Sequence, residues 1–269
     1  LKWDGHTHTP YCPHGSIDPL KKYIEQAISQ GFDCYSITEH APLPKTFHDP
    51  VPLQDSAMKW EDLESYLNDC QKLKKEYEKD ILIYTGFEVD FLEGYEKETT
   101  DFLNEVGPYV DDAILSVHFL PVKGTWTCVD YSPEHFEQDI LAPLGSVDQV
   151  YLHYYQTYYK AVTAELGKYK PRRMGHLTVI EKFKKKYPSI QKDIWWSHIL
   201  FILQEIERRG YQLDYNTAGL SKPLCQEVYP SADILVEAKK LRIPFVYGSD
   251  SHQAKTVGLH YDQFIKDCL

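Results

Sequence analysis

Short apolar runs alternate along this chain with segments whose apolar positions recur at helical spacing. Seven runs read as strands: Lys2–His6, Cys34–Thr38, Leu82–Glu88, Ala113–Val117, Arg173–Leu177, Gln212–Asn216 and Phe245–Gly248. Helical patterns fill the intervals. Leu20, Tyr23, Ile24, Ala27 and Ile28 make one apolar stripe, with Asp18 expected as its N-cap, Pro19 in its first turn and Gly31 at its end. Trp60, Leu63, Leu67, Cys70, Leu73 and Tyr77 make a second. Ser132-Pro133 opens another helix, and Val147 to Leu166 is long and tyrosine-rich. Ile194 to Arg208 and Ser231 to Leu241 follow, and a short segment near Tyr261 closes the series. Strand then helix, repeated about seven times, implies a mostly parallel sheet. In a chain of 269 residues it favours a closed α/β barrel over an open sheet. No linker, repeat or low-complexity stretch divides the chain, so residues 1–269 are expected to form a single domain.

Composition narrows the partners. The formal charge of −11 disfavours a role built on attraction to a phosphate backbone, so no nucleic-acid partner is expected. Bound cations would offset part of that charge. Cys12, Cys34, Cys70, Cys128, Cys225 and Cys268 are far apart and contain no C-x-x-C, which argues against a disulfide framework and a zinc knuckle. The LKWDGHTHT opening has no apolar signal region, and no run is long enough to span a bilayer. A cytoplasmic location without membrane partners is the expectation. The pattern specifies no oligomeric state.

The placement of the twelve histidines changes the picture most. His6 and His8 end the first strand, and His14 follows in the next loop. His40 ends the second strand, Glu88 the third and His118 the fourth; His176 lies at the fifth, and Asp250 and His252 at the seventh. In a parallel barrel all of these ends gather at one rim, where such barrels build their sites. Residues i and i+2 of a strand share a face, so His6 and His8 can reach one ion. Any one of these histidines, taken singly, reads as a packing or loop residue; their joint placement on one rim does not. Imidazoles mixed with carboxylates suit Zn, Fe or Mn. Glu88, with two oxygens, can bridge two cations. His48, His135, His198 and His260 fall in ordinary loop or helix contexts, and His153 suits either packing or substrate contact.

HTH, the following histidine, T-E-H, G-x-E, S-V-H, G-H and S-D-S-H occur in this order from His6 to His252. The set resembles the polymerase and histidinol phosphatase (PHP) superfamily. DGHTHTPYCPHG, SITEHAPLP and NTAGLSKPLCQEVYPS resemble its monofunctional histidinol-phosphatase branch. The resemblance implies a distorted seven-stranded (β/α) barrel and up to three divalent metal ions, Zn, Mn or Fe. It implies one ion on His6, His8, Glu88 and Asp250, a second on Glu88, His118 and His176, and a third on His14, His40 and His252. Glu39 stands where many superfamily members carry Asp.

The implied activity is hydrolysis of a small phosphate monoester, with L-histidinol phosphate the expected substrate, by in-line attack of a hydroxide shared between cations. Asp250 or His252 is the candidate proton donor to the leaving oxygen. Lys222, after the sixth strand, is a candidate phosphate contact, although it also reads as an ordinary solvated lysine. Glu39, Asp90 and Tyr155 are candidates for receiving the imidazole and amine of the substrate, and His153 is a further candidate substrate contact. Arg172 and Arg173 lie at the start of the fifth strand and are expected at the opposite, stabilising face. Competing readings are a nucleotide-directed phosphoesterase of the same superfamily, an amidohydrolase-type barrel, which also opens with His-x-His, and a metal-storage protein.

Overall fold

The computed structural model describes residues 1–269. Seven parallel strands form the central sheet: β1 (Trp3–Asp4), β2 (Cys34–His40), β3 (Leu82–Asp90), β4 (Asp112–Ser116), β7 (Arg173–Met174), β8 (Gln212–Asn216) and β9 (Phe245–Gly248), in that spatial order. β5 (Phe119–Val122) and β6 (Thr125–Cys128) form a separate antiparallel hairpin. The sheet closes on itself beyond the short β1. Gly5 N donates to Tyr247 O, Asp250 N to His6 O and His8 N to Ser251 O at 2.8–2.9 Å, and Thr7 bridges Ser251 in parallel. The first histidines and the Asp250 loop are therefore zipped together by backbone bonds.

The helices α1 (Leu20–Ser29), α2 (Leu63–Glu76), α3 (Glu96–Val106), α4 (Pro133–His135), α5 (Ala142–Leu144), α6 (Val147–Thr163), α7 (Asp193–Arg208), α8 (Ala232–Lys240) and α9 (Tyr261–Cys268) accompany the strands. Their apolar stripes face the sheet; Tyr23, Ile24, Tyr66, Tyr158, Ile199 and Ile206 are fully buried. The tyrosines add hydrogen bonds to this packing. Tyr66 Oη donates to Gly86 O at 2.5 Å and Tyr158 Oη to Gly175 O at 2.8 Å, tying a helix to a strand carbonyl in each case. Within the barrel, below the histidines, Arg173 donates to Gly5 O and Asp112 Oδ2 at 2.6 Å and lies over the Trp3 ring. It plugs the barrel interior and does not border the main cavity.

Several expected boundaries move. β1 and β7 are two-residue strands, because His6 and His176 leave the ladder to enter the site. β2 and β3 run two residues further than expected, paired through Thr38↔Gly86, Glu39↔Phe87 and His40↔Glu88. Asp18 does not cap α1: its carboxylate accepts from Ala254 N at 3.0 Å, and Pro19 occupies the cap. Ser132 does cap its helix, accepting from His135 N at 3.2 Å, and α4 continues as a π-helix over Phe136–Leu141. The sequence reading missed α3 and the β5–β6 hairpin. Their signals are the buried Thr99, Phe102, Leu103 and Val106 at helical spacing, and Lys123-Gly124 with positive φ at both residues of a two-residue turn.

Candidate metal centre

β2 and β3 lie in register so that His40 is opposite Glu88, and both point into the barrel mouth. Glu88 sits at the middle of the cluster. Its Oε2 lies 3.2 Å from His6 Nε2, 3.3 Å from His8 Nε2 and 3.2 Å from His40 Nδ1. Its Oε1 lies 2.9 Å from His176 Nε2 and 3.6 Å from His118 Nε2. Asp250 Oδ1 stands 3.0 Å from His8 Nε2 and 3.6 Å from His6 Nε2. The His8 ring lies 4.0 Å from that of His252 and 4.2 Å from that of His40, and His14 is 5.1 Å from each of the latter two rings. All nine histidine, glutamate and aspartate side chains expected at the rim converge there.

A second layer turns most of these rings. His6 Nδ1 is 2.8 Å from Asp214 Oδ2, His8 Nδ1 is 2.9 Å from Glu39 Oε1, and His118 Nδ1 is 2.6 Å from Asp90 Oδ1. His14 Nδ1 meets Asp55 O at 2.7 Å, and His252 Nδ1 meets Asp250 O at 2.9 Å. Each contact fixes Nδ1 as the protonated nitrogen and leaves Nε2 as a free lone pair aimed at the cluster.

The unpaired atoms show what this arrangement can hold. His6 Nε2, His8 Nε2, both nitrogens of His40, Glu88 Oε2 and His252 Nε2 are buried and have no hydrogen-bond partner in the protein. Buried polar atoms without partners are rare, and here several point at common spaces. Four sets of ligand atoms lie within 4.8 Å of one another: His6, His8 and Asp250; His8, His40 and Glu88; Glu88, His118 and His176; and Cys12, His14, His40 and His252. Divalent cations fit such nitrogen and oxygen sets. The electrostatics of Glu88, His40 and His252 fit such a role. Burial alone would push the Glu88 carboxyl up, but His6, His40, His118 and the His176 hydrogen bond hold it well below the usual range. Burial, and then the neighbouring His8, keep both His40 and His252 well below the usual imidazole value, hence as neutral ligands.

The cluster forms the floor of a cavity of about 500 Å³. Lys222, Lys182, Asp130 and Tyr131 are among its walls. Lys222 therefore lies where expected. Of Glu39, Asp90, Tyr155 and His153, the other candidate substrate contacts, only Asp90 borders the cavity. Glu39 precedes His40 and so lies on the other face of β2, where it binds the His8 ring and the Thr9 N–H and hydroxyl. Tyr155 is fully buried on α6 against Trp195, with its hydroxyl donated to Glu181 at 3.3 Å. His153 is engaged with Pro121 O at 2.8 Å. None of these three residues borders the cavity, and each is held by the protein contact just described.

Sequence reasoning missed Asp214 and Asn216, which donates to Asp250 Oδ2 at 3.0 Å; both lie in β8, which carries no histidine. It also missed Lys182 and Asp130, whose carbonyl accepts from Lys182 Nζ at 2.6 Å. Period-two alternation of Asp214 and Asn216 at a strand end was the available signal.

The PHP domain model matches residues 4–218. A histidinol-phosphatase of Bacillus subtilis is 46% identical over 267 residues, covering 99% of each chain. The crystal structure of HisK from Listeria monocytogenes superposes with a TM-score of 0.93 at 42% identity, covering 98% of this chain and all of that one. Histidinol phosphate phosphatase from Lactococcus lactis, complexed with zinc, L-histidinol and phosphate, superposes with a TM-score of 0.75 at 19% identity, covering 100% of this chain and 94% of that one. With the match spanning most of its length and the rim histidines gathered around Glu88, this chain belongs to the PHP domain family.

Proposed function

We propose that this chain is a single-domain, metal-dependent histidinol-phosphatase, hydrolysing L-histidinol phosphate to L-histidinol and phosphate. The observation that carries the reading is the Glu88 carboxylate, with three imidazole nitrogens around one oxygen and two around the other. Full-length 46% identity to a histidinol-phosphatase supports the substrate.

His6, His8, Glu88 and Asp250 would hold one cation, Glu88, His118 and His176 a second, and His14, His40 and His252 a third. When bound, such cations supply an activated water and neutralise phosphoryl oxygens. The protein's own groups do the rest. Asp214, Glu39 and Asp90 keep three rings in the ligating orientation. Lys222, after β8, and Lys182, in the 3-10 helix Val179–Phe183, both reach the cavity and would bind phosphate oxygens. Asp130, with Phe119 and Tyr131, offers an acidic and aromatic wall to an ammonium and an imidazole. Asp250 and His252 border both cluster and cavity, and we assign them the handling of the proton that the leaving oxygen takes up.

A phosphate-release screen tests this reading. L-histidinol phosphate, mononucleotides and other small phosphomonoesters are compared with defined Zn, Mn and Fe loading. L-histidinol phosphate is expected to have the highest kcat/KM; a mononucleotide in that place would refute the substrate assignment.

A further inference from the structure

Cys12 stands out among the six cysteines. It is 3% exposed, and its Sγ belongs to the same set of mutually close ligand atoms as His14, His40 and His252. Its position is built. Cys12 N donates to Thr9 O and Gly15 N to Cys12 O at 3.1 Å, and Ser16 N donates to His252 O at 2.8 Å. The turn is thus tied to the strand end that carries His252. A side chain at Gly15 would stand 3.3 Å from the Cys12 Cβ and 3.4 Å from His252 O, so the turn packs closely over this spot.

A second observation points independently to a ligand. His40 is 6% exposed and neither ring nitrogen has a hydrogen-bond partner in the protein. His14 and His252 each commit Nδ1 to a backbone carbonyl, leaving Nε2 free.

We infer that Cys12 is a thiolate ligand of the cation held by His14, His40 and His252, completing a one-sulfur, three-nitrogen set. The inference rests on the cluster's holding cations at all. On binding, the thiol proton leaves to solvent and the sulfur lone pair forms the bond, with no change of oxidation state. Three imidazoles and a thiolate make a four-ligand set of the kind that suits zinc or ferrous iron, and they disfavour manganese, which prefers oxygen. The position nearest the cavity mouth would then differ in metal preference from the two sites that share Glu88.

Cobalt(II) reconstitution of the whole protein tests this. Visible d–d bands report that the cluster holds cobalt. A near-ultraviolet thiolate-to-cobalt charge-transfer band reports sulfur ligation. Wild type and Cys128→Ser should show both, and Cys12→Ser should lose the charge-transfer band while keeping d–d bands. Cys128 is the control because it also lines the cavity. X-ray absorption of the zinc-loaded wild type is independent of any variant's folding and should show a sulfur neighbour at about 2.3 Å. Cobalt d–d bands without the charge-transfer band, or only nitrogen and oxygen neighbours around zinc, overturns the inference. Absence of d–d bands altogether overturns the metal-centre reading beneath it.

Discussion

Asp214 Oδ2 lies 2.8 Å from His6 Nδ1, with both side chains fully buried. The same oxygen accepts from His176 N at 3.2 Å and Asn216 Nδ2 at 3.1 Å. One carboxylate on β8 thus orients the ring of a histidine following β1 and anchors the backbone of a histidine following β7. Asp214→Ala is expected to weaken metal affinity on the order of 10–100-fold, as loss of such outer contacts does. Isothermal titration with zinc checks this; unchanged affinity would show that Asp214 only fills space.

Glu88→Gln keeps the shape of the shared side chain and removes its charge. Metal content at saturation should fall, and kcat should drop by roughly 10²-fold or more, because two cation sets lose a common ligand. Elemental analysis beside phosphate release is the measurement. Full metal content with full activity would contradict the shared-carboxylate geometry.

Gly175 has no room for a side chain. A Cβ there would stand 2.0 Å from Ser116 Oγ, and that hydroxyl donates to Glu88 Oε1 at 2.7 Å. Gly175→Ala should therefore cost roughly 1–3 kcal/mol of stability through overpacking and also lower turnover by displacing the Glu88 support. Denaturant unfolding and kinetics, run in parallel, should show both losses.

Lys222 lines the cavity from the loop after β8. If it binds phosphate oxygens in substrate and transition state alike, Lys222→Ala should raise KM roughly tenfold and leave kcat little changed. An unchanged KM would return it to the class of solvated lysines.

Lys170 gives a pH signature far from the site. Its Nζ donates to Val162 O and Ala164 O at 2.7 Å, closing the end of α6. Burial, with Arg209 adding, lowers its pKa from 10.5 to about 8. Between these two values the unfolded chain binds more protons than the folded one, so stability from this group rises with pH. Lys170→Met removes that slope. The melting temperature of the wild type, relative to the variant, should climb as pH rises from about 8 to about 10, within this window. A constant difference would contradict the assignment.

The rim cluster was legible because strand-end position is a one-dimensional property: most of these histidines follow an apolar run, and parallel closure brings the ends together. The residues that orient those rings were not. Glu39 reaches His8 across 31 positions and Asp214 reaches His6 across 208, and no periodicity couples such pairs. The cavity walls were legible only in part for the same reason. The sequence alone does not tell which way a helix residue faces: α6 turns Tyr155 into the core against Trp195 and away from the cavity. β1 and β7 were overextended because buried site residues are as apolar in their surroundings as ladder residues.

The central claim is that these side chains act by holding cations beside a phosphate ester. It is tested most directly by stripping the protein with a chelator, confirming its fold by circular dichroism, and following phosphate release from L-histidinol phosphate as Zn, Mn or Fe is returned. The account predicts a folded, inactive apoprotein whose activity returns in proportion to bound metal. Full turnover by the folded, metal-free protein would contradict it.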